Sequence, residues 1–182
     1  MTMTSKPSTR FFPNRRTVWA HQEEGSFENL KEAALAAAAS GTVASLVTTA
    51  ALALLATSEG KSVFQPTNAT SHWLYGEQAG RVRKLDARHT LLGYGTHHLS
   101  SIFWALPFEV WLASGRSKSP ATVLRKAALT ATLAALVDYG FMPKRLTPGW
   151  ETVLSRRSVG VTFAAMAIGL AAGGLISRRR QP

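Results

Sequence analysis

The residues with the most chemical potential are a histidine pair and two acids set in apolar sequence: His97, His98, Glu109 and Asp138. A neutral histidine bonded to a carboxylate titrates near neutrality and can hand a proton on. These four are therefore the candidates for a relay or ligand site. An ionisable group at the centre of a lipid-embedded helix costs about 2.5–3.5 kcal/mol on insertion scales, so each needs a reason to be there. The competing reason is structural: an inter-helix hydrogen bond or an interfacial ion pair that sets the register of a helical hairpin.

Other chemistries find no support. The 182 residues include no cysteine, which removes disulfides, thiolate zinc sites, Cys-ligated iron–sulfur clusters and a Cys nucleophile. Di-iron bundles need several glutamates and Glu-x-x-His pairs on facing helices, and the sequence has none. A haem held within one chain needs axial ligands from two helices, whereas His97 and His98 are neighbours on one. Gly60-Lys61-Ser62 ends like a phosphate loop, but Leu55 stands where the first glycine belongs. Ser58 and Lys61 have Ser-x-x-Lys spacing without the companion motifs. No catalytic residue, metal or cofactor is assigned, and the reading leans away from an enzyme.

The elements that must position the histidines and acids are four apolar blocks, 33–57, 90–113, 121–142 and 158–177. The first has 25 residues and no charge; as a helix it is about 37 Å long, enough to cross a hydrocarbon core of roughly 30 Å. The fourth is also uncharged and runs straight into Arg178, Arg179 and Arg180. A soluble bundle would need polar faces recurring every turn, which these two blocks lack. The expected fold is all-α: an integral membrane bundle of four transmembrane helices, with an interfacial helix in the first loop. Residues 1–32 form a polar arm, disordered over 1–25 and entering the first helix across Ser26 to Lys31. Residues 33–177 form the transmembrane domain, and 178–182 a basic tail. The mean hydropathy of +0.01 averages over two solvents.

The formal net charge of +11 calls for an anionic partner. Because Lys and Arg flank the apolar blocks, the nearer anions are lipid headgroups rather than nucleic acid. The candidate headgroup contacts are Arg81, Arg83, Lys84 and Arg88 in the first loop, and Lys144, Arg145, Arg156 and Arg157 around the last one. An interfacial helix is expected from Thr70 or Ser71, with His72 as an ordinary surface histidine. Asn68-Ala69-Thr70 matches a glycosylation sequon, which has meaning only in a eukaryotic secretory context. Pro148-Gly149 reads as a turn and Trp150 as an interfacial anchor. The basic residues divide almost evenly between the two faces, and the slight excess beside the termini places both in the cytoplasm.

Small residues recur at four-residue spacing: Ala37, Gly41 and Ser45; Ala127, Ala131 and Ala135; Ala165, Gly169, Gly173 and Ser177. In lipid such rows let helix backbones approach closely. Gly169 and Gly173 are the helix-packing candidates, and a homo-oligomer formed through them is one expectation. Spans two and three make a hairpin centred near position 117.5, so residues whose numbers sum to about 235 lie at similar depth. Asp138 then sits level with His97, and Glu109 level with Lys126. Direction is a separate matter: His98 and Glu109 are about 20° apart around the helix, His97 and Glu109 about 120°.

The segments Asn68 to Leu74, Gly93 to Glu109, and Asp138-Tyr139 through Pro143, Arg145, Pro148, Gly149 and Glu151 resemble, in layout, those of small, uncharacterised four-span inner-membrane proteins of bacteria. The resemblance covers residues 30–177 and brings no activity with it. The leading expectation is a non-enzymatic inner-membrane protein, a structural, accessory or envelope-associated subunit. The alternative is a small transport or proton-relay component built on the His/Asp cluster. A membrane enzyme acting on lipid ranks last.

Overall fold

The computed structural model describes residues 15–115 and 119–179, with side chains over 30–115 and 119–178. Its contacts divide the chain into Met1–Glu32 and Ala33–Pro182. In the second unit the described residues form helices joined by short 3-10 turns, and none is in a strand.

Among the described residues, six α-helices carry the fold: α1 Arg15–Ser58, α2 Gln65–Ala69, α3 His72–Tyr75, α4 Ala87–Ala113, α5 Pro120–Leu136 and α6 Arg156–Arg179. Asp86 caps α4 by accepting from the His89 N–H at 2.9 Å, and Ser119 caps α5 through the Thr122 N–H. Five residues of π-helix, Val137–Phe141, continue α5 and carry Asp138. The first helix begins at Arg15, so the expectation of a disordered arm over 1–25 is corrected for 15–25. That stretch holds no proline, and Arg15, Arg16, Ala20, Gln22, Glu23 and Glu24 are good helix formers. Residues 1–14 of the expected arm and most of the basic tail lie outside the described residues.

Among the described residues, three segments are long and apolar enough to cross a membrane: Leu30–Ser58, Pro120–Phe141 and Arg156–Arg178. α4 is not among them, although it has 27 residues.

α6 is packed against the other long helices. A Cβ at Gly169 would lie 2.6 Å from the Ala44 Cα, and one at Gly173 would lie 2.5 Å from the Ser40 Cα. The pairs run in opposite directions, so α1 and α6 are antiparallel with their backbones in contact. At Gly174 the neighbours are Phe108 and Leu112 of α4, both fully buried. Gly41 of α1 meets Ile102 of α4 just as closely. Gly169 and Gly173 thus fill a seam inside one chain. The expectation that they join two copies is corrected, because the surface they would offer is already occupied by α1.

Candidate functional site

The two long connections meet at one end of the helices, where they build a buried polar cap. Asn68 has no exposed surface. Its amide donates to the Val82 and Lys84 carbonyls at 2.8 and 3.0 Å, and its oxygen accepts from Thr90 Oγ1 at 2.6 Å. Gln65 donates to the Gly80 carbonyl at 3.0 Å. His72 reaches the Ala69 carbonyl with Nδ1 and the Lys144 carbonyl with Nε2, each at 3.0 Å. Trp150 Nε1 donates to Thr70 Oγ1 at 3.1 Å. Gly149 has φ +81°, and any Cβ there would lie 2.5 Å from the Ala69 carbonyl oxygen. Gly93 of α4 approaches Thr67 of α2 so closely that a Cβ would overlap its carbonyl.

The helix expected from Thr70 or Ser71 is present as α3, with Ser71 as its N-cap, and residues 65–72 are buried. Two expectations change here. His72 is 6% exposed, with a backbone carbonyl 3.0 Å from each ring nitrogen, so it is a cross-link rather than a surface histidine. Trp150, 4% exposed, belongs to the core instead of anchoring at a surface. The sequon at Asn68 is closed too, since its amide nitrogen is consumed by two backbone carbonyls.

Beneath the cap lies a cavity of about 430 Å³. His97 and Asp138 both line it, with Thr70, Thr96 and Ser101. His97 is 8% exposed, donates from Nε2 to the Ser45 carbonyl at 3.4 Å, and meets the Trp150 ring edge-on at 5.6 Å. With the proton on Nε2, Nδ1 is left as an acceptor. His97 and Asp138 therefore share a space, as hairpin depth implies, without bonding to each other.

The other candidates lie elsewhere. His98 stacks on Tyr94 at 5.7 Å, outside the cavity lining, and its buried Nδ1 has no partner. Glu109 is twelve residues beyond His97 on α4, about 18 Å at 1.5 Å per residue. It is 5% exposed, has Ser40 and Arg178 as polar neighbours, and its Oε1 is unpartnered. Lys126 does not pair with it: its ammonium donates to the Trp111 carbonyl at 2.5 Å and sits 5.1 Å from the centre of the Trp111 ring. The four-residue cluster is thus divided, with His97 and Asp138 kept together and His98 and Glu109 apart.

Arg81, Arg83, Lys84, Arg88, Lys144, Arg145, Arg156 and Arg157 are all exposed, and they surround the polar cap. Arg145 donates to the Trp73 carbonyl at 2.9 Å, tying the two basic groups together. Glu59 is one of the acids at this end. It accepts from the Ser155 N–H at 3.0 Å and from the hydroxyls of Ser155 and Ser158 at 2.7 and 2.5 Å. Those bonds, Ser158 foremost, hold its carboxyl below the usual range, and they place a negative charge at the start of α6.

No family model, curated protein or solved structure matches the chain. The function has to be argued from these residues alone.

Proposed function

We propose that this chain is a four-crossing, non-enzymatic integral membrane protein of the bacterial inner membrane, acting as an accessory or structural subunit with both termini cytoplasmic. The observation that carries the reading is the inverted polarity of α4. Gly93, His97, Ser101, Ala105, Glu109 and Leu112 are buried, at spacings of three and four that make one inward face. Leu91, Leu99, Phe103 and Val110 face outward at 71, 68, 66 and 48% exposure. A helix in water presents the opposite pattern, whereas ionisable residues in a membrane turn to the bundle interior. The same inward polar set lowers the average apolarity of α4, which is why composition separates it from the other three.

The accessory role draws support from the cap. Asn68, Gln65, His72 and Trp150, the polar residues that could have done chemistry, are bonded to the backbone or to Thr70 and hold the two connections together. The surrounding basic surface suits anionic headgroups. Gentle solubilisation of native membranes tests the role: a stoichiometric partner should co-purify, and recovery of the chain as a free monomer would reject a subunit function.

The shared cavity of His97 and Asp138 favours a second reading, a transport or proton-relay component. Reconstituted vesicles carrying an internal pH dye would then respond to the protein, and His97→Ala or Asp138→Asn would abolish the response.

A further inference from the structure

We infer that the cavity under the polar cap binds an organic cation with an apolar body. The inference goes beyond the accessory reading and rests only on α4 lying in the membrane. In a chain with 21 Lys+Arg against 10 Asp+Glu, no Lys or Arg among the described residues lines this cavity, and the one acid among them that does is Asp138. The Asp138 carboxylate makes no hydrogen bond among the described residues, and Glu151 adds a second negative charge nearby. The free Nδ1 of His97 is another acceptor. A ligand able to satisfy both must bring positive charge or donors.

The rest of the wall selects for shape and polarity. Trp73, Trp104, Trp150, Phe103 and Phe163 line it, and the N–H groups of Trp73 and Trp150 are already bonded to Thr96 and Thr70. Those two rings, like Phe103 and Phe163, are left with apolar and π surface to offer, and Trp104 adds a further ring. Aromatic rings around an acid are the chemistry that recognises ammonium and related cations, through the negative face of each ring. The cavity also reaches Leu99 and Phe103 on the outward face of α4, so an apolar tail can leave toward lipid while the charged head stays beside Asp138. A volume near 430 Å³ accommodates a compact organic cation.

The ammonium could come from a free organic cation or from a lipid headgroup, and the test separates the two. Full-length protein in neutral maltoside micelles is titrated calorimetrically with tetraphenylphosphonium and with tetraphenylborate, which share a shape and differ in sign. Saturable binding of the cation alone is expected, weakened at least about tenfold in Asp138→Asn and partly recovered in Asp138→Glu. Thermal melting of each variant shows that it is folded. Equal binding of both ions, or no loss in folded Asp138→Asn, would overturn the inference. Added phosphatidylethanolamine displaces the probe if the site takes a headgroup, and leaves it bound if the site takes a free cation. In native membranes, Leu99→Cys should resist an impermeant maleimide. Labelling there means that α4 is not in lipid and the four-crossing reading fails; protection without cation binding defeats the cavity proposal alone.

Discussion

His72 and Lys144 are joined by a 3.0 Å bond from the imidazole Nε2 to the lysine backbone carbonyl, across 72 positions of sequence. The same ring meets the Ala69 carbonyl through Nδ1, so one side chain fastens the turn after α2 to the connection after α5. Both partners are carbonyls, and a neutral ring can donate to only one of them. His72→Ala takes this partner from the buried Ala69 carbonyl and cuts the tie to Lys144, whose carbonyl keeps its bond from the Thr147 hydroxyl. A loss of about 1–3 kcal/mol is expected, the cost of stranding such a group, read as a lower midpoint of thermal unfolding in detergent. An unchanged midpoint would show that the cap is not held here.

The seam between α1 and α6 sets a second expectation. Gly173→Leu puts a side chain where only 2.5 Å separates a Cβ from the Ser40 backbone. The helices must part, with overpacking costs of about 1–3 kcal/mol or more. Gly160, whose Cβ position has nothing within 4 Å, is the control: Gly160→Leu should express and melt like the parent. Equal behaviour of the two variants would count against the seam.

Glu59 brings a dependence on pH. Its folded carboxyl titrates below the ordinary value of 4.5 because it accepts from Ser158 and Ser155. A depressed carboxyl stabilises the fold above the unfolded value, and that contribution is lost as pH falls through the folded one. Amide exchange in the first turn of α6 should therefore accelerate when pH drops below about 4.5, after correction for intrinsic exchange. Glu59→Gln should exchange quickly at neutral pH and lose the acid dependence. A parental profile in that variant would remove Glu59 from the cap.

Sidedness can be measured directly because no native cysteine interferes. Lys61→Cys and Lys144→Cys should label from one side of sealed vesicles and Ser114→Cys from the other. Labelling of Lys61→Cys and Lys144→Cys from opposite sides would contradict the shared cap.

The apolar blocks were legible because lipid-length helices leave a composition signal that needs no partner. Uncharged runs of twenty residues and more announce Leu30–Ser58 and Arg156–Arg178 without any knowledge of packing. The depth match of His97 with Asp138 was legible too, since a hairpin's fixed rise per residue turns sequence distance into height. Direction was not. It depends on how each helix rotates about its axis, and the contacts that set rotation, such as Gly41 on Ile102 and Gly174 on Phe108, join residues far apart in the chain.

The sequence by itself determined that the chain is helical, that its charges lie at helix ends and in connections, and that two histidines and two acids stay inside apolar segments. Only the tertiary structure decided what those groups do. It put His97 and Asp138 around one cavity, sent His98 to Tyr94 and left Glu109 near Ser40. It also turned Asn68, His72 and Trp150 from surface candidates into a buried cap. The physical reason is that helix formation is local, governed by length and apolarity. The fate of a polar side chain is settled by which distant carbonyl or ring comes within 3 Å of it, and no local pattern encodes that meeting.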